Sequence, residues 1–192
     1  PISPRYPVVE ALTAVVFVLL ALRYGAGPEL APALLFAWIM ILVTLVDFDA
    51  RIIPDAVTLT GTAVGLLLAP LSGPPSLVDA AIGAAGGLLL LWGIAWAYER
   101  VTGKEGMGGG DIKFAALLGA FLGWKGLLLT LFLASVGGAV AGGALMMSGK
   151  GSRNTSLPFG SFLAPAGLCV YVFGSEILGW YLRTAFPARP HP

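Results

Sequence analysis

Two aspartates dominate the chemistry open to this chain. Asp47 closes a long apolar run in Leu45-Val46-Asp47-Phe48-Asp49, and Asp111 opens another behind a glycine-rich stretch, Gly106-Met107-Gly108-Gly109-Gly110-Asp111-Ile112-Lys113. Ionisable groups are expensive at membrane depth and mark functional sites there by default. Two carboxylates that meet across a helical bundle share a proton, because like charges a few ångströms apart do not both ionise cheaply. The reaction that suits such a pair is hydrolysis of a peptide bond by an activated water, with no covalent enzyme intermediate. The proton belongs to the pair, so base and acid are not assigned separately.

The neighbours of each aspartate set its expected position. Asp47 is expected where a helix ends and meets water, and Pro54-Asp55 is a helix-start signal for the next segment. Gly106, Gly108 and Gly110 argue against stable helix, since each glycine costs about 1 kcal/mol relative to alanine. Residues 103–110 are therefore expected to be a flexible approach that supports the site, with positive φ at Gly108 and Gly110. Asp111 then falls at the N-terminus of the following helix, where free N–H groups favour a carboxylate. Secondary candidates are Asp49, a loop carboxylate facing Arg51 and a rival to Asp47; Asp55, a helix cap, as is Asp79; and Lys113. Lys113 follows Asp111 by two positions, so it points to another face, toward lipid phosphate or a helix-end carboxylate. The glycine run is not a phosphate loop, because no strand precedes it and no Gly-Lys-Ser/Thr ending follows.

The elements that must hold these residues are membrane helices. Hydrophobic residues make up 57% of the 192-residue chain and charged residues 11%, and the mean hydropathy is +0.89. A soluble domain of this size would lack polar surface to cover itself. Seven apolar segments, at about 7–22, 29–47, 56–72, 78–98, 111–123, 126–147 and 161–182, are separated by short polar punctuation. Most approach the roughly 20 residues needed to cross a bilayer. The fifth is too short, and is expected to be a tilted or half-buried helix surrounded by protein. The fold class is an all-α polytopic bundle of about seven segments, in one domain over residues 1–192. Gly61/Gly65, Gly83/Gly87, Gly119/Gly123 and Gly138/Gly142 carry the four-residue spacing of close helix packing. Trp92, Trp96, Trp124 and Trp180 fall mostly near segment ends as interface anchors.

Charge fixes the expected orientation. Seven crossings put Arg5, Arg51, Arg100, Lys104, Lys113, Lys150 and Arg153 on one side and Arg23, Lys125, Arg183 and Arg189 on the other. The richer side is cytoplasmic under the positive-inside rule, and both aspartates face it. A formal net charge of +1 without a clustered basic face gives no nucleic-acid partner. The one cysteine, Cys169, is expected to be a small buried hydrophobe. Cys169 with the one histidine, His191, cannot close a tetrahedral site, so no zinc is expected in this chain. Pro1 in place of methionine, with no signal-peptide pattern, leads us to expect that the chain is cut from a longer protein.

Asp47 through Asp55, followed by Val101-Thr102-Gly103-Lys104-Glu105-Gly106-Met107-Gly108-Gly109-Gly110-Asp111-Ile112-Lys113, closely resembles the type IV prepilin peptidases, the Gly-x-Gly-Asp class of membrane aspartyl proteases. Arg5-Tyr6-Pro7-Val8-Val9-Glu10 and Leu157-Pro158-Phe159-Gly160-Ser161-Phe162-Leu163-Ala164-Pro165-Ala166-Gly167 are similar to the family's flanking signatures, so the resemblance spans nearly the whole chain. It implies Asp47 and Asp111 as the catalytic pair, on the cytoplasmic side of a bacterial inner membrane. The implied substrate is a prepilin or type II secretion pseudopilin, cut between a short basic leader and the apolar helix that stays in the lipid. Glu105, Asp49 and Asp55 could attract the basic leader. Proteolysis would need no cofactor. Full-length members also carry a first helix and a four-cysteine zinc-binding domain, and methylate the new N-terminus with S-adenosylmethionine; this chain starts after that region. Two other classes use intramembrane carboxylates or tolerate them: a proton or cation transporter, and a non-catalytic pilus or secretion assembly component with the aspartates as caps. A transporter would fit an internal repeat and midplane carboxylates, and the sequence shows neither.

Overall fold

The computed structural model describes residues 5–70, 73–148 and 158–185, and among them it is entirely helical: α1 (Arg5–Tyr24), α2 (Leu30–Ala50), α3 (Asp55–Leu68), α4 (Leu77–Thr102), α5 (Gly109–Met147) and α6 (Gly160–Ala185). Among the described residues five helices are long and apolar enough to cross a membrane, and α3, at 14 residues, is shorter. The chain is a polytopic helical membrane protein.

Six helices replace the seven expected segments because the fifth and sixth are two arms of α5. Only Trp124 and Lys125 lie between them, as the expected bounds had it. Gly123, at φ 67 and ψ 175, breaks the helix by itself, in a conformation that costs glycine little and side-chain-bearing residues much. The arms fold back on each other. A Cβ built on Gly87 of α4 would lie 2.6 Å from the Ala115 oxygen and 2.9 Å from Leu127 Cδ2, although an unbroken helix would hold those twelve residues about 18 Å apart.

The first arm is the centre of the molecule. Phe114 through Phe121 are all buried, eight residues in succession, the pattern of a helix enclosed on every side. Phe36 and Met40 of α2, Leu117 and Leu118 of α5 and Leu163 of α6 meet in this core, and α3 and α4 cover the rest of the arm. The short fifth segment is thus wrapped in protein, as its length demanded.

Glycines permit this enclosure. A Cβ on Gly119 would fall 2.1 Å from the Gly83 oxygen, and one on Gly61 would fall 2.4 Å from Leu117 Cδ1. Backbone therefore packs on backbone between α4 and α5, as small residues allow in membrane bundles. Gly138 is different: only the Phe162 ring comes near, at 3.9 Å, so that spacing marks no tight seam. Cys169 is exposed on the outer surface of α6, not buried as expected; its side of the helix faces out from the bundle. Trp92, Trp96, Trp124 and Trp180 are also exposed, with Arg100 over the Trp96 ring at 5.0 Å and Lys125 over Trp124 at 5.4 Å.

These contacts make Gly83→Ala costly. A methyl 2.4 Å from the Gly119 oxygen has backbone on its far side and cannot be relieved by a rotamer change, so a loss of about 3 kcal/mol is expected. Gly86→Ala and Gly93→Ala meet nothing within 4 Å and should stay within about 1 kcal/mol of the parent. Thermal melting of the three variants in one detergent checks the contrast.

Candidate active site

Helix α2 runs one turn past Asp47. It stops where Arg51 adopts φ 55, ψ 36, and the Arg51 N–H closes the helix on the Asp47 carbonyl at 2.8 Å. Asp47 was expected at a helix end facing water. It is instead inside the last turn and 4% exposed. The chain then crosses Ile52-Ile53-Pro54, and Pro54, at φ −64 and ψ 130, opens α3.

Burial of a carboxylate demands donors, and α6 supplies them. The Ser161 N–H donates to Asp47 Oδ2 at 2.6 Å, and the Ser161 hydroxyl donates to the same oxygen at 3.0 Å. The Phe162 and Leu163 N–H groups bond back to the Phe159 carbonyl, which leaves the Ser161 N–H free for the side chain. Unpaired N–H groups at a helix start suit an anion.

Asp111 lies in the first turn of α5, three residues after the N-cap Gly108. It is half-buried, within electrostatic reach of Asp47, and the Gly160 N–H is directed at its carboxylate. Successive backbone N–H groups at the start of α6 thus serve the two aspartates, one each. A Cβ on Gly160 would lie 2.8 Å from Asp47 Oδ2 and 2.7 Å from Ile53 Cδ1, so only glycine fits between them. Ile53 is 5% exposed and also touches the other helix start: a Cβ on Gly110 would be 3.1 Å from Ile53 Cβ.

The glycine stretch behaves differently from its sequence. Gly109 and Gly110 are helical, forming the first turn of α5, and Gly108 has φ −70. Positive φ occurs instead at Gly103, the cap of α4 at φ 69. Gly106 packs under the Tyr98 ring, where a Cβ would come within 2.3 Å of Cδ1. What these positions require is close approach, not left-handed backbone, and the segment is fastened at Gly106.

The remaining candidates form ion pairs at the same end of the bundle. Asp49, still helical, pairs with Arg5 at 2.9 Å and not with Arg51, and it is 56% exposed. Two residues from Asp47, it occupies another face. Asp55 is the first helical residue of α3 and makes no cap bond; Pro54 holds the cap position, and Asp55 binds Lys113 Nζ at 2.6 Å. That contact gives Lys113 the helix-end carboxylate expected of it. Asp79 is likewise not the cap. Ser76 caps α4, accepting from the Asp79 N–H at 3.1 Å and donating to its Oδ2 at 2.8 Å. Arg23, by contrast, pairs with Glu176 at 2.5 Å toward the opposite end. Lys150, Arg153, Leu157, Arg189 and His191 lie outside the described residues.

Ser161, Gly160 and Ile53 were not singled out as site residues from the sequence. The signal available for Ser161 was a Gly-Ser pair opening an apolar segment on the side assigned to both aspartates.

The fold and site define a class, a polytopic membrane protein with two aspartates gathered at one end of its helices. Residues 34–143 match the model of the type IV leader peptidase family. A prepilin leader peptidase/N-methyltransferase of Aeromonas hydrophila is 44% identical over 182 residues, 95% of this chain and 63% of that protein. Proteins of the same description from Pseudomonas putida (44% identical, 92% of this chain, 61% of theirs) and Pseudomonas aeruginosa (38%, 96% and 63%) are also similar. The chain belongs to the type IV leader peptidase family. It spans somewhat under two thirds of the length of these relatives. No solved structure matches it.

The glycine contacts give a paired test. Gly110→Ala pushes a methyl to 3.1 Å from Ile53 Cβ and 3.3 Å from its carbonyl oxygen, whereas Gly109→Ala meets nothing within 4 Å. Turnover by Gly110→Ala is expected to fall about tenfold, and that by Gly109→Ala to stay within about twofold. A cleavage assay on both purified variants reads the difference.

Proposed function

We propose that this chain is a membrane-embedded aspartyl endopeptidase that removes the short basic leader from type IV prepilins or type II secretion pseudopilins. The observation that carries the reading is the convergence of Asp47 and Asp111 on the start of α6, close enough for their charges to interact. Family membership and the relatives' names support peptidase chemistry and the substrate class.

Asp47 and Asp111 hold one proton between them. The ionised member takes a proton from water as its oxygen attacks the scissile carbonyl carbon, while the protonated member hydrogen-bonds the carbonyl oxygen. Collapse of the tetrahedral intermediate breaks the C–N bond, and a carboxyl proton goes to the departing amine. The pair supplies both proton positions, so the cleavage needs no cofactor.

The substrate keeps its apolar helix in the lipid and presents the leader junction at the membrane margin. The ion pairs Arg5–Asp49 and Lys113–Asp55 gather at the same end as both aspartates. Applied to that end, the positive-inside rule makes it the cytoplasmic face of a bacterial inner membrane. Methyl transfer from S-adenosylmethionine to the new N-terminus is a second activity we propose from the relatives' names, without assigning it to residues of this chain.

Incubation of purified protein with a prepilin in detergent is expected to yield a leader-shortened product. No shortened product, or proton or cation flux in liposomes without cleavage, would overturn the reading. Asp47→Asn and Asp111→Asn remove one half of the pair with almost no change in volume. Each is expected to lower cleavage at least about a thousandfold while expression and melting stay near those of the parent. Near-normal cleavage by either variant removes that aspartate from the pair.

A further inference from the structure

The aspartates sit on different helices, and the separation of the pair depends on how the α2–α3 linker is fastened to the start of α5. Inside, Ile53 fills the space between Gly110 and Gly160. Outside, the Lys113 ammonium reaches across 58 residues of sequence to Asp55 at 2.6 Å. Lys113 is half a turn beyond Asp111 on α5, and Asp55 follows Ile53 by two residues. The ion pair thus ties the helix bearing Asp111 to the first residue of α3, where the linker from the helix bearing Asp47 ends.

Stability alone does not account for this pair. The two side chains are 37% and 59% exposed, and exposed pairs contribute little to folding. Its place is what distinguishes it: it bridges the two elements whose relative position fixes the carboxylates, whereas Arg23–Glu176, comparably exposed at 35% and 53%, joins α1 to α6 about four turns along α6 from Ser161.

We propose that Lys113 and Asp55 are positioning residues of the aspartyl site, acting as one unit through their ion pair to hold Asp111 in register with Asp47. The proposal rests on the peptidase reading. Misplacing a reacting group by about 1 Å costs on the order of a hundredfold in rate, so a pair of small folding value can have a large effect on turnover.

A double-mutant cycle with charge exchange tests it, using the parent chain on prepilin as reference. Lys113→Ala and Asp55→Ala are each expected to lower kcat about tenfold or more, with KM within about twofold and melting little changed. The double alanine variant should be no worse than either single one. Exchange of the charges, Lys113→Asp with Asp55→Lys, should recover a substantial part of kcat. Arg23→Ala should stay within about twofold of the parent. Single variants with near-parental kcat, losses that multiply in the double variant, or losses that track a falling melting temperature would overturn the proposal. If the exchanged protein does not fold, the alanine cycle decides. A parent chain that cleaves no prepilin refutes the peptidase reading; a cleaving parent with unaffected variants refutes only the positioning role.

Discussion

Two carboxylates brought together at the edge of an apolar bundle lose hydration and repel each other, and the construction of this end of the molecule answers that cost. The answer is the first turn of α6. Its free N–H groups point at both aspartates, one from Gly160 and one from Ser161, and the Ser161 hydroxyl adds a third donor. Backbone donors are fixed by the helix itself, so they hold a carboxylate without having to be ordered at the moment of reaction.

Holding that helix start against the aspartates requires the absence of side chains. Gly160 and Gly110 make room for Ile53, and Ile53 keeps the linker from collapsing onto the carboxylates or drifting from them. The same economy recurs deeper in the bundle. Gly83, Gly87 and Gly119 bring α4 onto α5 at backbone distance, and this encloses the arm that carries Asp111. A chain with fewer glycines could cross the membrane as well, but it could not set two acidic side chains at one helix terminus with this little intervening space.

Much of this was legible in the sequence, for identifiable reasons. Apolar runs gave the helices because lipid leaves the backbone no other solution, and the shortness of residues 111–123 correctly implied an enclosing shell. The two aspartates stood out because charge is scarce. What escaped was whatever depends on a single dihedral or on a partner distant in the chain. Arg51 lets α2 run on past Asp47, and Asp49 finds Arg5 when Arg51 is nearer in sequence. Gly106, Gly108 and Gly110 were read as backbone freedom, while the fold uses two of them for proximity. Ser161 stood out only as one residue of a flanking signature and not as a partner for an aspartate, since a serine at a helix start has many ordinary uses.

The order in which the chain is made adds a consequence. Asp47 emerges first, Asp111 after α4, and the donors of Gly160 and Ser161 only when α6 begins. Until α6 follows, the two acidic groups are without the backbone donors that meet them in the finished bundle. A chain that ends before residue 160 therefore has both aspartates and none of the donors that α6 brings to them.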